Sequence, residues 1–111
     1  MINETLVAAA QYMDEHGKTT GVYESADGHV CMLGALRMVA LGRIKITSED
    51  VGTPRYEIFI EAHRRLQEFI ESTVSELGVS IPYVNDRRLQ TKEETVKFMM
   101  EAAEWEPSKS E

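Results

Sequence analysis

Residues 30 to 41 read Val30-Cys31-Met32-Leu33-Gly34-Ala35-Leu36-Arg37-Met38-Val39-Ala40-Leu41, and Gly42 follows. Arg37 is the one charge in this run, and every other residue is apolar or small. A helix that is apolar nearly all round belongs at the buried centre of a bundle, where Gly34, Ala35 and Ala40 let neighbouring helices come close. Gly42 is its natural stop. The run is also far shorter than the roughly 20 residues a membrane span requires. A chain built around it is expected to be mainly α, a compact bundle of about four helices.

On the N-terminal side, Ile2, Leu6, Ala9, Ala10 and Met13 recur at helical spacing. Asn3 is the candidate N-cap and Gly17 sits where a left-handed C-terminal residue belongs, so a first helix is expected from Glu4 to His16. Between the two helices, Thr19, Thr20, Val22 and Tyr23 are β-prone, and Ser25-Ala26-Asp27-Gly28 is turn chemistry. A short β-hairpin near residues 19–30, or an irregular loop, fits that stretch.

On the C-terminal side, Arg43 to Thr47 alternates like a short strand or extended connection, and Thr47 to Pro54 reads as a loop with Pro54 opening the next helix. Ile58, Ala62, Leu66, Phe69, Ile70, Val74 and Leu77 then form one stripe, with Glu61 and Arg65 as an i,i+4 pair and Gly78 as the end. Ser80 to Gln90 is a connection that contains Ile81-Pro82-Tyr83 and the turn-favouring Asn85-Asp86. Thr91 and Glu94 make a capping box for a last helix whose inward face is Val96, Met99, Met100 and Ala103, ending near Glu104. The expected organisation is a single helical domain over 1–106 and a disordered tail over 107–111.

The chain has 111 residues, 42% hydrophobic and 28% charged, the balance of a soluble globular domain. At this length a chain buries roughly two-thirds of its unfolded surface and needs no disulfide or metal staple. The N-terminus lacks the charged and apolar regions of a secretory signal, so a cytoplasmic setting is expected. One cysteine, Cys31, and three histidines provide neither an internal disulfide nor standard zinc-ligand spacing, and no metal site is expected.

The formal net charge is -7 at a pI of about 5.0, and the only adjacent basic pairs are Arg64-Arg65 and Arg87-Arg88. Phosphate binding needs clustered Lys and Arg, so nucleic-acid binding is disfavoured, and the acidic surface instead steers toward a basic partner. Neither GxGxxG nor GxxxxGK[ST] occurs, so no nucleotide or other cofactor is expected.

Two constellations carry candidate chemistry. Cys31 lies in the expected first turn of the apolar helix, where unpaired N–H groups and the helix dipole stabilise a thiolate. A cysteine hydrolase or transferase would also need a base and an orienting group, for which His29, His63, Asn85 and Asp86 are the candidates. Buried cysteine, however, commonly behaves as a small hydrophobe, and Val30, Met32 and Leu33 flank this one. Asn85-Asp86 reads first as an Asx turn bonded to nearby amides; the sharper reading is a polar pocket in which this loop faces the Gly28–Cys31 turn. Phe98 falls off the main stripe of the last helix and Trp105 follows it, so these two are the candidate protein-binding residues.

The pairing of Cys31, Leu33, Gly34, Ala35 and Leu36 with the later Asn85, Asp86 and Thr91 resembles a family of small uncharacterised proteins from actinobacteria and their mycobacteriophages. Members resemble one another in a Cys-Leu-hydrophobic-Gly-Ala-Leu helix, a variable middle and a Trp-Asn-Asp loop before a final helix opened by Thr. Here Val84 stands where that Trp would be. The resemblance implies a helical fold and a phage or actinobacterial cytoplasmic setting, and no reaction. The leading expectation is therefore a non-catalytic protein-interaction module, a phage accessory protein binding a host protein. A Cys31-dependent hydrolase or transferase is the first alternative and a DNA-binding regulator the last, and a homo-oligomer is compatible with each.

Overall fold

A computed structural model describes residues 2–74 and 78–106. Among these residues the elements are α1 (Glu4–His16), α2 (Met32–Leu41), α3 (Pro54–Thr73), the single turn α4 (Ile81–Tyr83) running into a π-helical turn (Val84–Arg88), and α5 (Lys92–Glu104). No sheet is present among them. The expected mainly helical bundle is the observed fold. No helix in the described residues is long and apolar enough to cross a membrane.

Local chemistry sets most helix ends. Asn3 Oδ1 accepts the Leu6 N–H at 3.0 Å, which starts α1 where the sequence places it. Thr53 Oγ1 accepts the Tyr56 N–H at 3.2 Å ahead of Pro54 and opens α3. Thr91 and Glu94 satisfy each other's backbone donors in the expected capping box. Gly42, at φ 79° and ψ 5°, closes α2 in the left-handed region. Gly17 closes α1 with a positive φ of 101°, but its ψ of 161° takes the chain out extended rather than left-handed helical.

α1 and α5 lie antiparallel. The Asn3 N–H donates to the Ala103 carbonyl at 2.8 Å at one end, and Lys92 Nζ donates to the Asp14 carbonyl at 3.1 Å at the other. α2 packs between α1 and α3, and α3 also meets α5. The core gathers Leu6, Met13, Met32, Leu36, Leu66, Ile70 and Met99, all fully buried. Burial of that apolar surface is the main force holding the helices together.

Several expectations are corrected. There is no hairpin at residues 19–30: Val30 alone forms isolated bridges, parallel with Lys18 and antiparallel with Glu24. Gly21 takes φ 81° and bends the chain between those partners, so two strands never run side by side. The apolar helix begins at Met32 rather than Val30, because Cys31 is extended at φ -88° and ψ 177° and serves as its N-cap.

In α3 the inward face is Phe59, Ala62, Leu66, Phe69 and Ile70, while Ile58 is 50% exposed and Phe59 only 4%. A stripe alternating three and four residues stays on one face, and Ile58, four before Ala62, falls off its side. α3 ends at Thr73 with an extended Val74 as C-cap, well before Gly78. Leu77 and the tail at 107–111 lie outside the described residues. Glu61 pairs with Arg64, not Arg65. Arg65 Nη1 donates to the Ala103 and Trp105 carbonyls at 3.3 and 2.6 Å, tying α3 to the C-terminal end of α5. The expected connection at 80–90 is partly helical, since Ser80 Oγ accepts the Tyr83 N–H and Pro82 suits a first turn.

Candidate functional site

The two sequence constellations meet at the N-terminus of α2. A helix start leaves its first N–H groups without intrahelical partners. Asn85 Oδ1 takes the Met32 N–H at 3.1 Å, and Cys31 Sγ takes the Gly34 N–H at 3.4 Å. Both side chains are buried, Asn85 completely. The remaining hydrogen-bonding capacity of Asn85 is also used: Nδ2 donates to the Thr19 carbonyl at 3.1 Å and to Asp86 Oδ1 at 2.8 Å. Its backbone carbonyl accepts Lys18 Nζ at 2.7 Å. Asp86 Oδ2 accepts the Gly21 N–H at 3.1 Å, so this loop does face the segment before α2.

That arrangement decides the state of the thiol. Burial pushes the Cys31 thiol above its ordinary value, the Gly34 and Leu33 N–H groups oppose the shift, and the Asp86 charge adds to it. Desolvation outweighs the helix N-terminus here. Lys18 is itself lowered by burial, against the pull of Asp86, Cys31 and Glu94. The sequence-nominated bases do not join the thiol in a hydrogen bond. The His29 side chain lies against Gly17, where an added Cβ would stand 2.8 Å from its ring. His63 packs on Phe59 in α3 with ring centroids 5.9 Å apart, and burial followed by the Arg37 charge lowers its pKa.

Cys31 and Asp86 nevertheless line a cleft of about 440 Å³ together with Gly21, Val22, Tyr23 and Pro82. Its wall is braced from behind: the Arg37 guanidinium lies 4.0 Å from the Tyr23 ring centroid, and Arg37 Nη1 donates to the Ile44 carbonyl at 3.0 Å. Gly34 is required here, because a Cβ would come within 2.0 Å of the Tyr23 carbonyl oxygen. Val22 and Tyr23 are exposed on the wall of this cleft, and Tyr83, next to Pro82 in the chain, is exposed as well. Phe98 and Trp105 sit elsewhere, edge-on to Phe69 at 5.0 and 5.8 Å and half-buried between α3 and α5.

Sequence reasoning missed Lys18, Gly21, Tyr23 and Arg65. No local signal could have found them, since each acts through contacts with distant parts of the chain, as Lys18 does across 67 residues. Among the described residues, no group of three or more His, Cys, Asp or Glu side chains could hold a metal ion.

A family model matches residues 2–104, which takes in α1 through α5 together with Cys31, Asn85 and Asp86. The chain belongs to a family of unknown function (DUF6197). No curated protein and no solved structure matches it. Within this DUF6197 chain, Cys31-Met32-Leu33-Gly34 and Asn85-Asp86 are two halves of one helix cap, which gives both short motifs a shared structural task.

Proposed function

We propose that this chain is a non-catalytic protein-interaction module, a phage accessory protein that binds a host protein. The observation that carries the reading is the employment of Cys31 and Asn85 as caps of α2, with the thiol buried and raised in pKa. Nucleophilic catalysis requires the opposite, an accessible thiolate with a base in reach.

Contact area supports the same reading. Val22 and Tyr23 expose apolar surface on the wall of a preformed cleft, with exposed Tyr83 adjacent in the chain to its Pro82, the type of patch that marks binding sites. Phe98 and Trp105 form a second aromatic patch, partly engaged with Phe69. The net charge of -7 favours encounter with basic proteins and opposes DNA.

The test is capture from a lysate of an actinobacterial host followed by binding of the purified partner to wild-type protein, Cys31→Ser, Val22→Glu/Tyr83→Glu and Phe98→Glu/Trp105→Glu. The reading expects one partner that Cys31→Ser retains and at least one of the surface pairs loses. Thiol-dependent turnover abolished in Cys31→Ser, with no partner bound, would overturn it.

A further inference from the structure

The α1–α5 pair buries one side in the core and leaves a groove on the other. On α1, Leu6, Ala9, Ala10 and Met13 face inward. Glu4, Val7, Ala8 and Gln11 follow the i, i+3, i+4, i+7 pattern on a different face, and that face lines the groove. Met100 and Glu104 of α5 form its opposite wall, and the space measures about 480 Å³. Val7, Ala8 and Met100 are half-buried and Ile2 is exposed at one end. Two antiparallel helices with an apolar furrow between them are a seat for a third helix laid along it.

Charge selects the occupant. Among the described residues that line the groove are Glu4 and Glu104 and no Lys or Arg. The Asn3-to-Ala103 hydrogen bond of 2.8 Å brings together the ends of α1 and α5 that carry these two carboxylates. Glu104 stands in the last turn of α5, where the helix dipole disfavours a negative charge. Lys97, a turn before Met100 on α5, is 3.9 Å from Glu101 and serves that carboxylate. A second copy of this chain carries the same net charge of -7, which would oppose its approach.

We infer that the α1–α5 groove is a docking site for a basic amphipathic helix of a partner protein. This inference rests on the interaction-module reading and adds a surface and a partner chemistry to it. The partner helix places apolar side chains at i, i+3 or i+4, and i+7 over Val7, Ala8 and Met100, and Lys or Arg side chains beside Glu4 and Glu104. The Glu4 to Gln11 stripe covers about 10 Å at the helical rise, so two turns of the partner span it.

The probe is a synthetic 18-residue peptide with Leu at helical spacing and Lys on the other face, titrated into the full chain by calorimetry and by amide chemical shifts. Two controls are its scrambled sequence and the same peptide with Glu in place of Lys. The expected result is binding of the basic helix alone, with shifts at Val7, Ala8 and Met100 and a Kd at least tenfold weaker in Glu4→Lys/Glu104→Lys. Glu104→Lys alone, at an exposed site, tests the charge without disturbing the start of α1 and is expected to weaken binding severalfold. No binding, equal binding by the charge-reversed variants, equal binding of the scrambled peptide, or self-association through this face would each overturn the inference. A captured partner lost by Val22→Glu/Tyr83→Glu but kept by Glu4→Lys/Glu104→Lys would overturn the groove and leave the interaction-module reading standing.

Discussion

Asn85 caps a helix that begins 53 residues before it in the chain, its Oδ1 accepting the Met32 N–H at 3.1 Å. The same side chain donates to Thr19 and Asp86, so one buried amide joins the π-helical turn, the irregular segment after α1 and the start of α2. Replacing it leaves the buried Met32 N–H unmatched and removes two further hydrogen bonds at once.

Asn85→Ala is therefore expected to destabilise the fold by about 3 kcal/mol, because the buried Met32 N–H loses its acceptor and the half-buried Thr19 carbonyl loses a donor. Asn85→Asp keeps the acceptor for Met32 but loses the donor to Thr19 and sets a second carboxylate beside Asp86. Urea unfolding checks both, and a midpoint unchanged in Asn85→Ala would contradict the capping role.

Cys31 is expected to react with iodoacetamide far more slowly in the folded than in the unfolded chain, since the thiol, although it lines the cleft, is only 5% exposed and accepts the Gly34 N–H. Burial raises its folded pKa above the ordinary 9.0. The associated stability is intact below the unfolded-state value and is lost as pH rises from there through the folded value. Cys31→Ser preserves an N-cap acceptor and is expected to be more stable than Cys31→Ala by about 1 kcal/mol. Rapid alkylation of the folded protein at neutral pH would refute the assignment.

His63 gives the opposite pH signature. Burial and then the nearby Arg37 charge depress its folded pKa below 6.5, so its contribution to stability is present above the unfolded-state value. It is lost as pH falls through the folded value. Melting temperature is expected to drop between pH 7.5 and pH 5, and part of that drop should vanish in His63→Gln. An identical pH dependence in the variant would remove His63 as its source.

Gly34→Ala is expected to cost stability near the upper end of the roughly 1–3 kcal/mol typical of overpacking. The added methyl would meet the Tyr23 backbone carbonyl at 2.0 Å, and the backbone cannot rotate away as a side chain could. Thermal unfolding of this variant beside Ala35→Gly separates the clash from ordinary helix propensity. A melting temperature equal to wild type in Gly34→Ala would show that the loop at Tyr23 yields freely.

Arg65→Met removes the donor to the Ala103 and Trp105 carbonyls while keeping an apolar stem. Trp105, the single tryptophan, packs edge-on to Phe69 and reports the change. A red-shifted fluorescence maximum is expected, with little loss of helicity. An unshifted spectrum would mean that the aromatic contact alone holds the end of α5.

What the sequence determined by itself was local. The Asn3 cap, the Thr91–Glu94 box, the Gly42 stop and the spacing of Leu6, Ala9, Ala10 and Met13 fixed helices and their ends, because each depends on residues within a turn or two. The apolar run at α2 likewise announced a buried central helix, and it is one. The tertiary structure decided everything that depends on which partner a polar group finds. Ile58 faces solvent because α3 is rotated toward Phe59, and Arg65 leaves Glu61 for carbonyls at the end of α5. Cys31 became a buried cap because Asn85 and the Tyr23 segment close over the start of α2. Such pairings span many residues and are selected by the packing of the whole core, for which a single sequence carries no periodic signal.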